Sequence, residues 1–368
     1  MKRIFLGALA ATLFFSCSKE SDDVNNPGEK ALVNISVTSP ETKATGTVAT
    51  DAVGNFTVFI TNSSGEIEWS AYSSGGTDLT GANAVSVSNT AQHVYVVANA
   101  GNLTSSITTM ASLNAFLADL NGTGSQSAVR WATGSTVTAL SFAQNAGGDY
   151  EASTSVTLTF IAARITLKIV DNMSPTYNAA ATDGSLVLER VAVLNARGES
   201  KLFGSSLIPT AYTAGKKFYT GLNNPASPDN FTYFPASVDY TFAQSLLSDA
   251  IPAGNFTNTY YYYVFENNAT TAAAFPTIIT LVGEFDGEKV YFPVHLANYE
   301  QFTGGGAAPA AGPFITRGYS YDITVTLTVD PSIGGGGPFI EDPTVTGGKV
   351  NVSIDLAPWI PVVLGKQF

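Results

Sequence analysis

The chain has 368 residues, a formal net charge of −12 at pH 7 and only 12% charged residues. This acidic, weakly charged composition argues against nucleic acid as a partner, because binding to phosphates requires clustered Lys and Arg. The single cysteine leaves no internal disulfide, so burial of apolar side chains must stabilise the fold. The length favours two domains, and the composition suits either an extracellular structural protein or a secreted sugar binder.

The first 17 residues have the pattern of a secretory leader. Met1–Arg3 is basic, Ile4–Phe15 is an unbroken run of apolar and small residues, and Cys17 follows closely. The run is too short for a membrane span. A small residue before a lone cysteine resembles a bacterial lipobox, although Phe14 and Phe15 depart from the usual residues. We expect residues 1–17 to be a lipoprotein signal peptide with lipid on Cys17; the alternative is an ordinary signal peptide with an incidental cysteine.

Residues 18–30 are polar and acidic and are expected to form a flexible tether before the body of the chain. Residues 31–37 alternate apolar and polar, as a half-buried strand does, and residues 39–46 are predicted to form an exposed loop. Apolar residues at helical spacing predict a helix within 105–120. Further strands are predicted at Phe56–Thr61, Ile67–Tyr72, Ala84–Val87, His93–Ala98, Thr154–Phe160, Arg164–Val170, Leu186–Asn195, Tyr260–Phe265, Tyr321–Val329 and Lys349–Leu356.

Many short strands with one or two short helices predict an all-β fold of two tandem β-sandwich domains, transthyretin- or Ig-like. Thr277–Phe285 and Lys289–Val294 flank Asp286-Gly287 and predict a hairpin. We expect Arg164–Val170 to pair with Leu186–Asn195. The first domain therefore spans residues 31–197 and the second residues 198–368.

No pattern for catalysis or metal binding stands out. His93 and His295 lack a second His or Cys at ligand spacing, so both are expected to be structural. The sequence has no serine elbow and no phosphate loop. Aspartates fall in turns, where they cap backbone groups, and a glycosidase carboxylate pair is disfavoured in so weakly charged a chain. We predict no catalytic residue, no metal, no cofactor and no enzyme activity.

Aromatic residues leave a sugar-binding alternative open. Trp69, Trp131 and Trp359 are candidate sugar platforms, although packing in a core or at a sheet edge is the favoured interpretation. Tyr260–Tyr263 lies in a predicted strand, so two of its tyrosines are expected to face solvent or a neighbour.

Several segments together resemble one family. Phe160–Ile165 is similar to its R-x-x-A-R-I/V strand without the first Arg, and Tyr263–Asn268 is similar to its Tyr/Glu-Asn-Asn motif. The family is that of the fimbrillins, the FimA-like major fimbrial subunits of Bacteroidales, also called type V pilins. Further similar segments are Val94–Ala100, Val191–Arg197, Lys201–Gly204, Pro276–Ile279 and the strand before Trp359.

The resemblance implies a lipoprotein precursor that reaches the outer membrane and is then cut by a trypsin-like protease after its first strand. The C-terminal strand of another subunit fills the groove that this strand leaves, so subunits join head to tail by β-strand addition. The implied product is a structural fimbrium at the cell surface that serves adhesion. Its partners would be other fimbrial subunits, the protease, the membrane and host or bacterial receptors.

Residues of this chain can be assigned to each step that the resemblance implies. The removable strand would have an apolar face made by Leu32, Val33, Ile35 and Val37. Lys43 is the only basic residue between Lys30 and Arg130, so it is the natural cleavage site, with Ala44 as the new N-terminus. Cleavage at Lys30 is a weaker alternative because it would retain the strand, and an uncut, solvated Lys43 also remains open. The donor strand would use Val350, Val352, Ile354, Leu356, Trp359, Ile360 and Val362.

We therefore predict a stalk subunit, because the chain combines a cleavable loop with an apolar C-terminal arm. An anchor subunit would lack productive cleavage, and a tip subunit would tend to lack the donor arm. The rival function is that of a surface glycan-binding lipoprotein, which shares the leader and the β-sandwiches.

Overall fold

The computed structural model describes fifteen ranges of the chain. They are residues 28–38, 52–75, 78–120, 131–134, 138–172, 186–204, 217–222, 239–240, 247–252, 256–267, 277–285, 288–295, 315–327, 350–358 and 362–363. Five predicted site residues lie outside these ranges: Cys17, Lys43, Ala44, Trp359 and Ile360. The described residues are mostly β-strand, which confirms the predicted fold class.

A nine-stranded sheet dominates the first half of the chain, with strand order β4-β3-β6-β8-β11-β1-β5, while β9 pairs with β6 and β10 with β11. The elements of this half are β1 Lys30–Thr38, β2 Ala52–Val53, β3 Phe56–Thr61, β4 Ile67–Ser73, β5 Val85–Ser88, β6 His93–Ala98, α1 Met110–Ala115, β7 Leu117–Asp119, β8 Ala132–Gly134, β9 Thr138–Ala139, β10 Ala143–Gln144 and β11 Tyr150–Phe160.

Two four-stranded sheets organise the second half, in the orders β19-β12-β22-β23 and β18-β13-β20-β21. The elements are β12 Ala162–Asp171, β13 Leu186–Leu194, β14 Ala196–Arg197, β15 Glu199–Lys201, β16 Lys217–Tyr219, β17 Asp239–Tyr240, β18 Ser248–Ala250, β19 Thr259–Phe265, β20 Ile278–Phe285, β21 Glu288–His295, β22 Tyr319–Leu327, β23 Val350–Pro358 and β24 Val362–Val363. The predicted hairpin is confirmed, because β20 and β21 pair antiparallel along their lengths.

The expected pairing of Arg164–Val170 with Leu186–Asn195 is wrong. Strand β12 pairs with β19 and β22, whereas β13 pairs with β18 and β20 in the other sheet. Both strands are mostly buried, and the spacing of apolar residues within a strand does not show which strand lies beside it. The end of the first domain at Arg197, which was drawn from this pairing, loses its basis.

The helix is shorter than predicted. Only Met110–Ala115 is helical; it begins at Thr109, whose Oγ1 accepts a hydrogen bond from Ser112 N at 3.0 Å. Phe116 then adopts an extended conformation, and β7 pairs with β15. Ile107, Leu113 and Leu120 are all buried, so a short helix followed by a strand satisfies the same apolar pattern as a long helix.

One hydrophobic core connects the sheets of both halves of the chain. It includes buried side chains of the nine-stranded sheet, such as Phe59 and Leu158, and of the four-stranded sheets, such as Ile165 and Leu281. Gly318, just before β22, packs so closely on β11 that a Cβ there would lie 2.2 Å from Thr159 Cγ2, and its φ is +72°. Only glycine fits this approach.

Candidate functional site

Strand β1 lies inside the nine-stranded sheet, with hydrogen-bonded neighbours on both sides. On one side Ala31–Thr38 runs parallel to Tyr150–Thr157 of β11. On the other side Lys30–Val33 runs antiparallel to Val85–Ser88 of β5. Because β1 fills the space between β11 and β5, its removal would expose two strand edges that face each other.

The side chains of β1 alternate between the core and a half-exposed face. Ala31, Val33, Ile35 and Val37 are all buried, and the last three have 0% exposure. Leu32 is 39% exposed and belongs to the opposite face, so its predicted place on the apolar face is wrong. Period-2 alternation from Val33 puts position 31 inward, so the core accepts the smaller Ala31 and leaves the larger Leu32 outside.

Beyond the end of β5, a loop segment completes the second side of the groove around β1. Ile35 N donates to Leu79 O at 2.8 Å, and Leu79 N donates to Ile35 O at 2.9 Å. Val37 N donates to Asp78 Oδ1 at 2.8 Å. Asn34 Oδ1 accepts a hydrogen bond from Gly81 N at 2.9 Å. The backbone of β1 is therefore paired on this side as far as Val37, although the regular ladder ends at Val33.

A carboxylate joins the two edge strands of the nine-stranded sheet. Glu68 of β4 accepts hydrogen bonds from the backbone N–H and from the Oγ hydroxyl of Ser88 in β5, the latter at 3.0 Å. Strands β4 and β5 stand at opposite ends of the strand order, so the sheet curls until its ends meet here. The bridge holds β5, one wall of the groove, through a contact that does not involve β1.

Strand β23 occupies a contrasting position at the end of its sheet. It pairs antiparallel with β22 from Leu327↔Val350 to Tyr319↔Pro358, and β22 is its one strand neighbour within the described residues. The backbones of predicted donor residues Val350, Val352, Ile354 and Leu356 all lie in this strand. Pro358, which lacks a backbone N–H, ends it, as suits an edge strand.

The chain beyond β23 returns to the first half. Val362 and Val363 form β24, which pairs in parallel with Ala52 and Val53 of β2. Strand β2 is the first element described after β1, and the predicted cleavage site at Lys43 lies between them in the sequence. The segment that follows the predicted cleavage site is thus hydrogen-bonded to the segment that follows β23.

The described tryptophans pack against the protein. Trp131 stacks on Phe116, with ring centroids 6.2 Å apart and an interplanar angle of 30°. Trp69 is half-buried in β4 and packs against the core. These contacts bear out the packing interpretation for both residues, while Trp359 lies outside the described ranges.

The tyrosine run is more buried than expected. Tyr261 is 53% exposed, but Tyr260, Tyr262 and Tyr263 are buried, so one tyrosine of the run faces solvent. Strand β19 lies beside β14 as well as pairing with β12, and Tyr261 is the tyrosine of the run that stays exposed. Burial raises the pKa of the Tyr262 hydroxyl well above its ordinary value, and the charge of Asp249 adds to that effect.

Residues with metal-binding or membrane chemistry do not assemble in the described ranges. No group of three or more His, Cys, Asp and Glu side chains there could hold a metal ion. His93 is half-buried within β6, and the backbone of His295 lies at the end of β21. Within the same residues, none of the helices has both the length and the apolar character needed to cross a bilayer.

Sequence reasoning missed the polar groups that shape the groove and a partly buried network around Arg317. Arg317 Nε lies 3.2 Å from Glu266 Oε2, and its other nitrogens donate to Leu202 O at 3.0 Å and Lys201 O at 3.2 Å. Burial lowers the pKa of Arg197, while the charge of Glu266 opposes that shift. Glu266 belongs to the Glu-Asn-Asn motif, so the sequence drew attention to this region. No local sequence pattern predicted the roles of Asp78 and Glu68.

Comparison with known proteins places this architecture among fimbrial subunits. The chain is 26% identical to the major fimbrium subunit FimA type-3 of Porphyromonas gingivalis, over 98% of both chains. A solved candidate cell adhesion protein from Bacteroides eggerthii has 25% identity and a TM-score of 0.66, covering 93% of this chain and all of the other. A fimbrilin from Porphyromonas gingivalis W83 shares the fold, with 20% identity, a TM-score of 0.62, and coverage of 90% and 98%.

The family model adds the decisive match. The C-terminal domain of the FimA-like major fimbrial subunit protein matches residues 162–359, more than half of the chain. The match begins at the first residue of β12, where the strands leave the nine-stranded sheet. The chain therefore belongs to the FimA-like major fimbrial subunit family.

Proposed function

We propose that this chain is a fimbrial stalk subunit that polymerises by protease-triggered donor-strand exchange and serves adhesion at the cell surface. The single observation that carries the proposal is the contrast between β1 and β23. Strand β1 lies between two strands, whereas β23 has a strand neighbour on one side only among the described residues. A donor that moves from an edge into a two-sided groove gains a second hydrogen-bonded neighbour.

The groove left by β1 has the properties that strand addition requires. Its walls, β11 and β5, would carry unpaired backbone N–H and C=O groups, which form a template for another strand. Three positions of β1 are completely buried aliphatic side chains. Refilling each such position with a similar side chain contributes about 1.5–3 kcal/mol. Directional hydrogen bonds then add a smaller net stabilisation.

The leader and the loop complete the proposed pathway. Lipid on Cys17 would attach the precursor to the outer membrane, and two acyl chains rather than one are needed for stable anchoring. A trypsin-like protease would then cut after Lys43, so that Ala44 becomes the first residue. This separates both the lipid and β1 from the rest of the chain, and other copies of the subunit are the partners for assembly.

We also propose a domain boundary near Ile161 in place of Arg197. Strands up to Phe160 belong to the nine-stranded sheet except β2 and β7, which pair with β24 and β15. Strands from Ala162 onward all belong to other sheets. The start of the family match at residue 162 supports this division. The two resulting units fit the expectation of tandem β-sandwich domains.

The glycan-binding alternative has less support. It needs an exposed aromatic platform, and the two described tryptophans are committed to packing. Tyr261 alone does not form such a platform. We therefore favour polymerisation over glycan binding as the function. If the processed protein does not polymerise, binding of the monomer to a glycan array tests the alternative.

Limited trypsin digestion tests the proposed function. The leaderless precursor is digested, separated on a native gel and sequenced from its N-terminus. We expect a new terminus at Ala44 and a ladder of oligomers. Lys43→Gln should abolish both, and Lys30→Gln, the matched control, should leave both unchanged. A product that begins at Ala44 but remains monomeric under all conditions would contradict the proposal.

A further inference from the structure

Strands β1 and β23 carry nearly the same sequence in the same direction. Val33–Val37 reads Val-Asn-Ile-Ser-Val, and Val350–Ile354 reads Val-Asn-Val-Ser-Ile. We propose that Val350–Ile354 of a second copy takes the places of Val33–Val37, residue for residue and parallel to β11. This proposal rests on donor-strand exchange as the route of assembly, and it adds the register of the donor and the contact that selects it.

The inward positions match in size. Val33, Ile35 and Val37 are completely buried, and the donor offers Val350, Val352 and Ile354 in their places. Both sets contain two valines and one isoleucine, so the total buried volume is the same. Only the order of the last two residues differs, and volume-conserving exchanges of this kind disturb a packed core least.

The polar face supplies the contact that selects the register. Asn34 Oδ1 accepts a hydrogen bond from Gly81 N, which begins a 3₁₀ turn at Gly81–Asn83 with a φ of +58°. In the proposed register Asn351 provides the same amide oxygen, and Ser353 takes the place of Ser36. Gly81 N is thereby satisfied both before and after exchange, without movement of the turn.

Backbone partners follow from the same register. Val352 would exchange two backbone hydrogen bonds with Leu79, as Ile35 does. Ile354 N would donate to Asp78 Oδ1, as Val37 N does.

The side chain that follows these residues also fits the register. Asp355 would replace Thr38, whose Oγ1 lies 3.2 Å from Ser155 Oγ and 3.5 Å from Thr157 Oγ1. A carboxylate there can accept hydrogen bonds from both hydroxyls.

A slip by two residues keeps apolar residues inward but loses the polar matches. It places Ser353 at the position of Asn34, where its shorter side chain does not supply the amide oxygen, and Asp355 at that of Ser36. A slip by one residue turns the whole apolar set outward. The pairing with Gly81 therefore separates the proposed register from its nearest competitor.

Disulfide trapping reads the register directly. Leu79 and Ile35 form an antiparallel bridge that exchanges both hydrogen bonds, a geometry with Cα atoms about 5.5 Å apart and within reach of a disulfide. Trypsin-processed Leu79→Cys protein is mixed with processed Val350→Cys, Val352→Cys or Ile354→Cys protein under mild oxidation. Native Cys17 precedes Lys43 and leaves with the removed segment.

We expect a covalent dimer with Val352→Cys, at least about tenfold more abundant than with either of the other two donors. A dominant crosslink at Ile354→Cys, or equal crosslinking of all three in a normal ladder, overturns the register but leaves strand exchange standing. Absence of a ladder in the processed wild-type protein instead overturns the proposed function. Unfolding of each uncut variant in urea verifies that it is folded.

A pair of substitutions at Asn351 provides an independent readout that leaves the core untouched. Asn351→Asp keeps an acceptor oxygen for Gly81 N, whereas Asn351→Val removes it and retains strand propensity. We expect Asn351→Val to slow ladder growth about three- to tenfold, the range for one lost hydrogen bond, and Asn351→Asp to grow at close to the wild-type rate. Equal growth of both variants overturns the assigned contact.

Discussion

Strands β1 and β23 have the same length of nine residues and share much of their sequence, but they are held in different ways. Strand β1 has strand neighbours on both sides and buries one face in the core, while β23 pairs with β22 alone in the described residues. Two segments of similar sequence thus have different numbers of hydrogen-bonded strand neighbours in the described residues. In the proposed exchange, position in a sheet rather than strand sequence would determine which segment is replaced and which is donated.

The largest expected effect comes from a charge at a donor residue that would face the core in the proposed register. Val352→Asp should abolish the oligomer ladder of the processed protein, because a buried carboxylate without a partner costs several kcal/mol. The matched control is Ser353→Asp, which puts the same charge on the next residue, at the proposed place of the half-buried Ser36. Native gels after trypsin digestion give the measurement, and a normal ladder from Val352→Asp would show that this face is not buried on assembly.

A second prediction separates the two faces of β1. Ile35→Ala should lower the free energy of unfolding of the uncut precursor by about 2–5 kcal/mol, because it leaves a cavity in a packed core. Leu32→Ala, on the exposed face, should change it by less than about 1 kcal/mol. Urea unfolding measures both.

The same variants test whether β1 leaves. Once β1 is removed, neither Ile35→Ala nor Leu32→Ala should affect assembly of the processed protein. A slower ladder from processed Ile35→Ala protein would mean that β1 stays in the filament.

A third prediction concerns the wall of the empty groove. Glu68→Ala should slow assembly about threefold or more, because the hydrogen bonds that fix Ser88 in β5 are lost. Glu66→Ala is the control, since Glu66 bonds only to the nearby Asn62 turn among the contacts described. The growth of the oligomer ladder over time is compared between the two variants. Equal growth rates would show that the bridge from Glu68 to Ser88 contributes to stability but not to assembly.

The smallest effect concerns alkaline pH and the sheet that holds β23. Burial raises the pKa values of Tyr262 and Tyr321, which lie in β19 and β22 of that sheet. A tyrosine with a raised folded-state pKa stabilises the protein fully below its unfolded pKa of about 10, and this stabilisation is lost as the pH rises further. Stability should be flat from about pH 7 to 9 and fall above about pH 10, less steeply in Tyr262→Phe. An identical alkaline slope in Tyr262→Phe would contradict this assignment.

Local patterns in the sequence predicted strands well. The bounds of Phe56–Thr61 and His93–Ala98 were correct, because alternation and flanking turn residues are local signals. Strand partners are not local, so the separation of β12 from β13 was missed. The position of Leu32 could have been found from the period that starts at Val33, whereas the bridge from Glu68 to Ser88 depends on how the whole sheet curls.

The most direct test of strand replacement is the intact mass of subunits from purified oligomers after trypsin treatment, measured under denaturing conditions. If β1 is replaced, each subunit should have the mass of residues 44–368, and the peptide that contains Leu32–Val37 should be absent from the oligomers. Oligomers that retain this peptide in equal amount with the rest of the chain would show that β1 stays in its sheet and that subunits join in another way.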